Sequence, residues 1–165
     1  MPPRTKPHAT VAPLLALMDE AYDTRAWHGT NLRGSLRGLT AEQAAWRPGR
    51  GRHNAWEIVL HAGYWKYAVW RRLTGTKRGS FGATGSNWFA RPEGKPSEAD
   101  WRRDLRLLAD EHRRLREVVA GLGPGSLERM VPGSRFTVSA TVRGAAAHDL
   151  YHAGQIQLLK RLRAR

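Results

Sequence analysis

The chain has 165 residues, enough for one domain that buries roughly two thirds of its unfolded surface. A hydrophobic content of 41% with seven Trp describes a folded globular domain, and the lack of any cysteine excludes disulfides, thiol catalysis and cysteine-ligated zinc. The net charge of +14 admits an anionic partner, while no apolar run approaches the ~20 residues that would span a bilayer.

Residues 1–9, with three prolines and two basic residues, read as a flexible N-terminal tail, and residues 10–165 as a single domain. Asp19 and Glu20 follow the apolar stretch Val11 to Met18 where a signal peptide would need small residues, so none is expected. With no cysteine, the expected location is the cytoplasm. The first helix is predicted from about Thr10 to Gly38, because Leu14, Met18, Ala21, Arg25, His28, Leu32 and Leu36 keep helical spacing. That stripe turns His28 inward. Thr40 and Gln43 then form a capping box for one or two turns, ended by Pro48-Gly49.

A second long helix starts at Asn54, with Asn54 as cap and Glu57 reaching back, and it runs through His61 to Leu73 before Gly75 stops it. Residues 76–97 form a long Gly/Ser/Pro-rich loop, and Trp88-Phe89 in its middle suggest a folded flap near a site. The third helix, capped by Ser97, places Trp101, Leu105, Leu108, His112, Leu115 and Val119 on one stripe and ends at Gly121. The fourth starts near Thr137 and reaches the C-terminus. Its inward positions are read as Ala140, Gly144, Ala147, His148, Tyr151, His152, Gln155, Ile156, Leu159 and Leu162. A short strand at 129–138 is the one β candidate. The expected fold is all-α, a bundle of four helices.

His148 and His152 are four apart, so their Cβ atoms sit about 5–6 Å apart on one helix face. With His61 from a facing helix they make three neutral imidazoles, a sufficient metal site with one position open. Three uncharged ligands leave the metal its full +2 charge, which deprotonates a bound thiol and lowers a bound water toward a pKa near 7. The stretch His148-Asp149-Leu150-Tyr151-His152 also matches the zinc-peptidase pattern, with Asp in place of Glu. No His, Glu or Asp follows it to serve as third ligand, which disfavours a peptidase. His28, His112, Gln155 and Tyr151 are candidates for the pocket or for supporting the ligands. The basic residues are scattered and no nucleic-acid motif is visible, so a specific nucleic-acid partner is not expected.

Several ordered segments together resemble one family. They are Trp27-His28-Gly29 with Leu36-Arg37-Gly38-Leu39-Thr40-Ala41-Glu42-Gln43-Ala44, then His53-Asn54-Ala55-Trp56-Glu57, His61-Ala62-Gly63-Tyr64-Trp65, a Trp-containing loop, and His148-Asp149-Leu150-Tyr151-His152-Ala153-Gly154-Gln155. Over roughly residues 11–162 the chain is similar to the DinB-like superfamily of bacterial metalloproteins, which includes the YfiT-type thiol transferases. The resemblance implies an up-up-down-down bundle with a long loop between helices two and three, a three-histidine site at His61, His148 and His152, and zinc or nickel as the metal. It further implies a metal-dependent thiol S-transferase or hydrolase acting on a small electrophilic substrate, with a low-molecular-weight thiol as partner and a homodimer as assembly. The alternatives are a non-catalytic metal-binding or stress-related bundle and, behind it, a nucleic-acid binder whose affinity would fall steeply with salt.

Overall fold

The computed structural model describes residues 7–164, so six of the nine residues expected to form a tail lie outside it. Among the described residues the regular elements are all helices and there is no strand. In chain order they form α1 (Ala12–Tyr22), α2 (Leu32–Ser35), α3 (Ala41–Ala45), α4 (Ala55–Thr74), α5 (Glu98–Ala120) and α6 (Val138–Arg163), with one 3-10 turn at Pro124–Ser126. No helix among them is long and apolar enough to cross a membrane. At 129–138, where a strand was a candidate, there is a tight turn with a single Met130–Thr137 bridge.

Most boundaries follow from local chemistry. The Thr40–Gln43 capping box forms in full. The Asn54, Ser97 and Thr137 side chains accept from the backbone N–H three residues on, at the starts of α4, α5 and α6. Gly75 ends α4 in the left-handed region at φ 72°, which a Cβ would disfavour. The Glu57 carboxylate departs from expectation. It turns to Arg47 and His53, at 2.5–2.9 Å, and leaves the Asn54 N–H alone.

The first helix is the larger correction. It stops at Tyr22, and residues 23–31 form a loop before α2. Gly29 sits at φ 98°, and Asn31 breaks the helical path by capping α2 while donating its amide to the Thr24 carbonyl at 2.8 Å. A helical stripe carried across these two residues therefore fails, and His28 and Trp27 are exposed.

Packing divides into three apolar clusters. Val11, Leu15, Met18, Leu115, Val119 and Val142 fill one region, and Leu32, Trp56, Val59, Trp101, Leu108 and Ile156 another. The third lies under the long loop, where Phe89 is buried against Leu60, Tyr64, Tyr67 and Ala68. Two further ties hold that loop. The Tyr67 hydroxyl accepts from the backbone N–H groups of Gly79 and Ser80. Arg91 donates to Asp104, which also accepts from the Trp56 indole. Buried aromatics and paired backbone groups tie this loop to the helices beneath it.

The buried face of α6 is rotated from the predicted one. Val138, Val142, Ala146, Asp149, His152, Ala153 and Ile156 face the core, whereas Gly144, Ala147, Tyr151 and Leu162 are exposed. The apolar stripe chosen by spacing left out Asp149, because a carboxylate was not expected in the interior.

Candidate metal centre

Asp149 is inside because a cation meets it there. Lys66 of α4 is 3% exposed and Asp149 1%, and the ammonium donates to the Asp149 carboxylate and to His112 Nδ1 at 3.2 Å. His112, from α5, stacks on the Tyr22 ring with 3.8 Å between centroids. All four main helices thus meet in one buried polar group. Burial first, and then the Lys66 charge, push the His112 pKa down to about 2, so this imidazole is neutral.

A consequence for acid stability follows. Unfolded His112 takes up a proton near pH 6.5 while the folded protein does not, so the unfolded state binds more protons below that pH and stability falls with it. The urea midpoint should decline as the pH drops from about 7 to 5. In His112→Leu the decline should be shallower; an equal slope would assign the acid sensitivity to other groups.

Next to this interior pair, three imidazoles converge. His61 comes from α4, and His148 and His152 from successive turns of α6. The Nε2 atoms of His61 and His152 lie 3.1 and 3.0 Å from Nε2 of His148. Their outer nitrogens set the tautomers. His61 Nδ1 is 2.8 Å from the Asn87 carbonyl, which can only accept. His152 Nδ1 is 2.7 Å from Gln155 Oε1, while the Gln155 amide donates to the Tyr151 hydroxyl at 3.0 Å. Both rings therefore carry the proton on Nδ1 and turn an Nε2 lone pair toward His148.

Two lone pairs aimed at a third nitrogen need a positive centre. One proton on His148 Nε2 can be directed well at only one of them, whereas a metal ion satisfies all three. Zn–N bonds of about 2.0–2.1 Å in a tetrahedron set N···N edges of about 3.3 Å, close to the separations here. The three side chains are grouped closely enough to hold a metal. Burial is the first cause of their lowered pKa values: His148 falls to about 3 and His152 to about 4, each helped by neighbouring histidines, and His61 is lowered too. Neutral imidazoles at pH 7 are the form that ligates.

The long loop covers the cluster, as its aromatic content suggested. Trp88 stacks on His61 at 3.9 Å and on His53 at 3.6 Å, giving a sandwich of two imidazoles around one indole. Asn87 takes the left-handed conformation at φ 64°, and its side chain accepts from the Trp65 indole at 3.0 Å. That conformation aims the Asn87 carbonyl at His61, and spacing arguments had no means of finding it.

The supporting candidates separate. Gln155 orients His152 directly and Tyr151 backs Gln155, although Tyr151 itself is exposed. His112 belongs to the interior Lys66 group rather than to the three-histidine cluster. His28 stands exposed on the 23–31 loop and is not part of the three-histidine cluster. The geometry does not favour the peptidase pattern, since the Asp149 carboxylate is buried and ion-paired with Lys66 through one oxygen.

A larger cavity of about 810 Å³ is lined by α1, α2, α5 and the 23–31 loop, with Arg25, Arg33, Arg37 and Arg106 among its residues; it contains none of the three histidines. Comparison with known proteins gives no match among curated proteins and none among solved structures. A protein-family model described as the DinB superfamily matches residues 24–156. That span takes in His61, the covering loop and the His148–His152 turn, and it covers most of the sequence. The chain belongs to the DinB superfamily.

Proposed function

We propose that this protein is a cytoplasmic metal-dependent enzyme, a thiol S-transferase or hydrolase that acts on a small electrophilic substrate. Its metal, zinc or nickel, is held by Nε2 of His61, His148 and His152. The observation that carries this reading is the convergence of three Nε2 atoms whose outer nitrogens are fixed by Asn87 and Gln155. Structural zinc sites use four protein ligands, whereas three leave a place for a reacting atom.

When bound, the metal supplies a Lewis acid that makes a nucleophile of a thiol or a water near neutral pH. The chain does the rest. Asn87 and Gln155 hold the protons on the far side of the rings, so each Nε2 stays free to ligate. Trp88, lying flat on His61, keeps water from one flank of the cluster. Among the described residues no carboxylate is hydrogen-bonded to the three imidazoles, so no directly bound acidic group would offset the charge of the ion.

The helices are assigned the up-up-down-down order, and the working assembly is a homodimer. Tyr151, Leu158 and Leu162 are exposed in one row along α6, a surface suited to a second copy. Metal per chain and conjugation of a carboxylate-bearing thiol to an activated aryl halide test the reading together. We expect about one zinc or nickel per chain, with activity lost on chelation and restored by the ion. A stoichiometric metal with no turnover of any thiol or ester would favour a non-catalytic role.

A further inference from the structure

Between α4 and α6 a cavity of about 290 Å³ abuts the histidine cluster, and His148 is part of its wall. Its sides are mainly apolar: Trp65 and Val69 from α4, with Phe136, Ala140 and Ala145 from α6 and the turn before it. Lys66 and Asp149 also reach it, but they neutralise one another. Arg72 is different. It lines the same cavity, and no acidic side chain pairs with it among the described residues.

Gly144 also lines this space. It lies in mid-helix on α6, where glycine lowers helix stability relative to alanine, and a Cβ added there would meet nothing within 4 Å. Neither backbone conformation nor close packing requires this glycine. It lines the cavity one turn before His148, where a larger side chain has open space to enter.

From these features we propose that the cavity is the substrate pocket, and that it takes an organic acid with a compact apolar body whose carboxylate pairs with Arg72. The proposal rests on the metal reading of His61, His148 and His152, since that reading gives the bound molecule something to react with. Size supports the assignment: a dry cavity of about 150 Å³ accommodates benzene, so this one holds a ring or short chain plus a few atoms. Charge supports it too. An apolar wall with one unpaired guanidinium favours a single carboxylate over a neutral or polyanionic molecule.

Calorimetry on the metal-loaded protein with 3-phenylpropanoate, 3-phenylpropan-1-ol and acetate tests this. 3-Phenylpropanoate should bind, the alcohol and acetate much more weakly. Arg72→Gln should weaken 3-phenylpropanoate roughly tenfold or more, the scale of a charge-assisted hydrogen bond, and leave the alcohol unchanged. Gly144→Leu should remove binding, and Gly144→Ala, which favours the helix, should reduce it by a smaller factor. Metal content of every variant is measured separately, so loss of the ion is distinguished from loss of the pocket. Equal 3-phenylpropanoate affinity in Arg72→Gln, as direct ligation of the carboxylate to the metal would give, overturns the proposal. So does unaltered binding in both Gly144 variants, or no binding to fully metal-loaded wild type.

Discussion

Replacing His148 by Ala should reduce bound zinc or nickel from about one per chain to nearly none, with the helical circular dichroism unchanged. His148 is the central ligand candidate, since its Nε2 is the one within hydrogen-bonding distance of both other nitrogens. Without it, His61 and His152 offer two imidazoles, fewer than the three protein ligands of known catalytic sites. The cost to the fold should be small, because His148 is only half-buried and its Nδ1 has no protein partner among the described residues. Gln155→Leu makes an informative comparison. It leaves all three histidines and removes the partner of His152 Nδ1 together with the bond to the Tyr151 hydroxyl, so affinity should fall by about 10–100-fold while stoichiometry survives at high metal concentration. Metal retained at one per chain in His148→Ala would overturn the assignment of the site.

How much of this was readable beforehand differs from element to element. Helix starts at Thr40, Asn54, Ser97 and Thr137 were readable because each cap is a local hydrogen bond spanning three residues. Two of the three histidines were readable for a similar reason, since four-residue spacing puts them on one helix face; His61 was placed with them as a histidine on a second helix and by the family resemblance. The break after Tyr22 was missed because a helical stripe was continued through Gly29 and Asn31, and the left-handed glycine and the Asx cap both outweigh apolar spacing. That error carried His28 into a core it does not enter. Asn87 was invisible for another reason. Its contribution is a backbone carbonyl, and any residue has one; only the conformation at φ 64° directs it to His61. The interior charges formed the last blind spot. Lys66, Asp149, Asp104 and Glu111 are buried, yet a search for apolar periodicity skips over each of them.

Those interior charges lead to the second large effect. Lys66→Met should destabilise the fold by about 3–5 kcal/mol, because it leaves Asp149 buried and unpaired. That loss is a sizeable part of a typical total of about 5–15 kcal/mol. Burial already raises the Asp149 pKa against the opposing pull of Lys66, so without the ammonium the carboxyl takes up a proton instead of staying charged. A raised folded pKa gives stability that is present below the unfolded value and lost as pH rises through the folded one. The deficit of Lys66→Met should therefore shrink as the pH is lowered toward 4, the ordinary carboxylate range, given roughly by model peptides. The double variant Lys66→Met/Asp149→Val removes both desolvated charges and should recover most of the stability, as buried pairs replaced by apolar groups commonly do. If the pair served stability alone, that exchange would have no further consequence. Its position argues for more. Lys66 follows His61 on α4 by little more than a turn, and Asp149 adjoins His148 on α6, so the ion pair ties together the two helices that carry the three histidines. The double variant should accordingly fold with near wild-type stability yet bind metal more weakly. Wild-type metal affinity in that variant would show that helix packing alone aligns the three imidazoles.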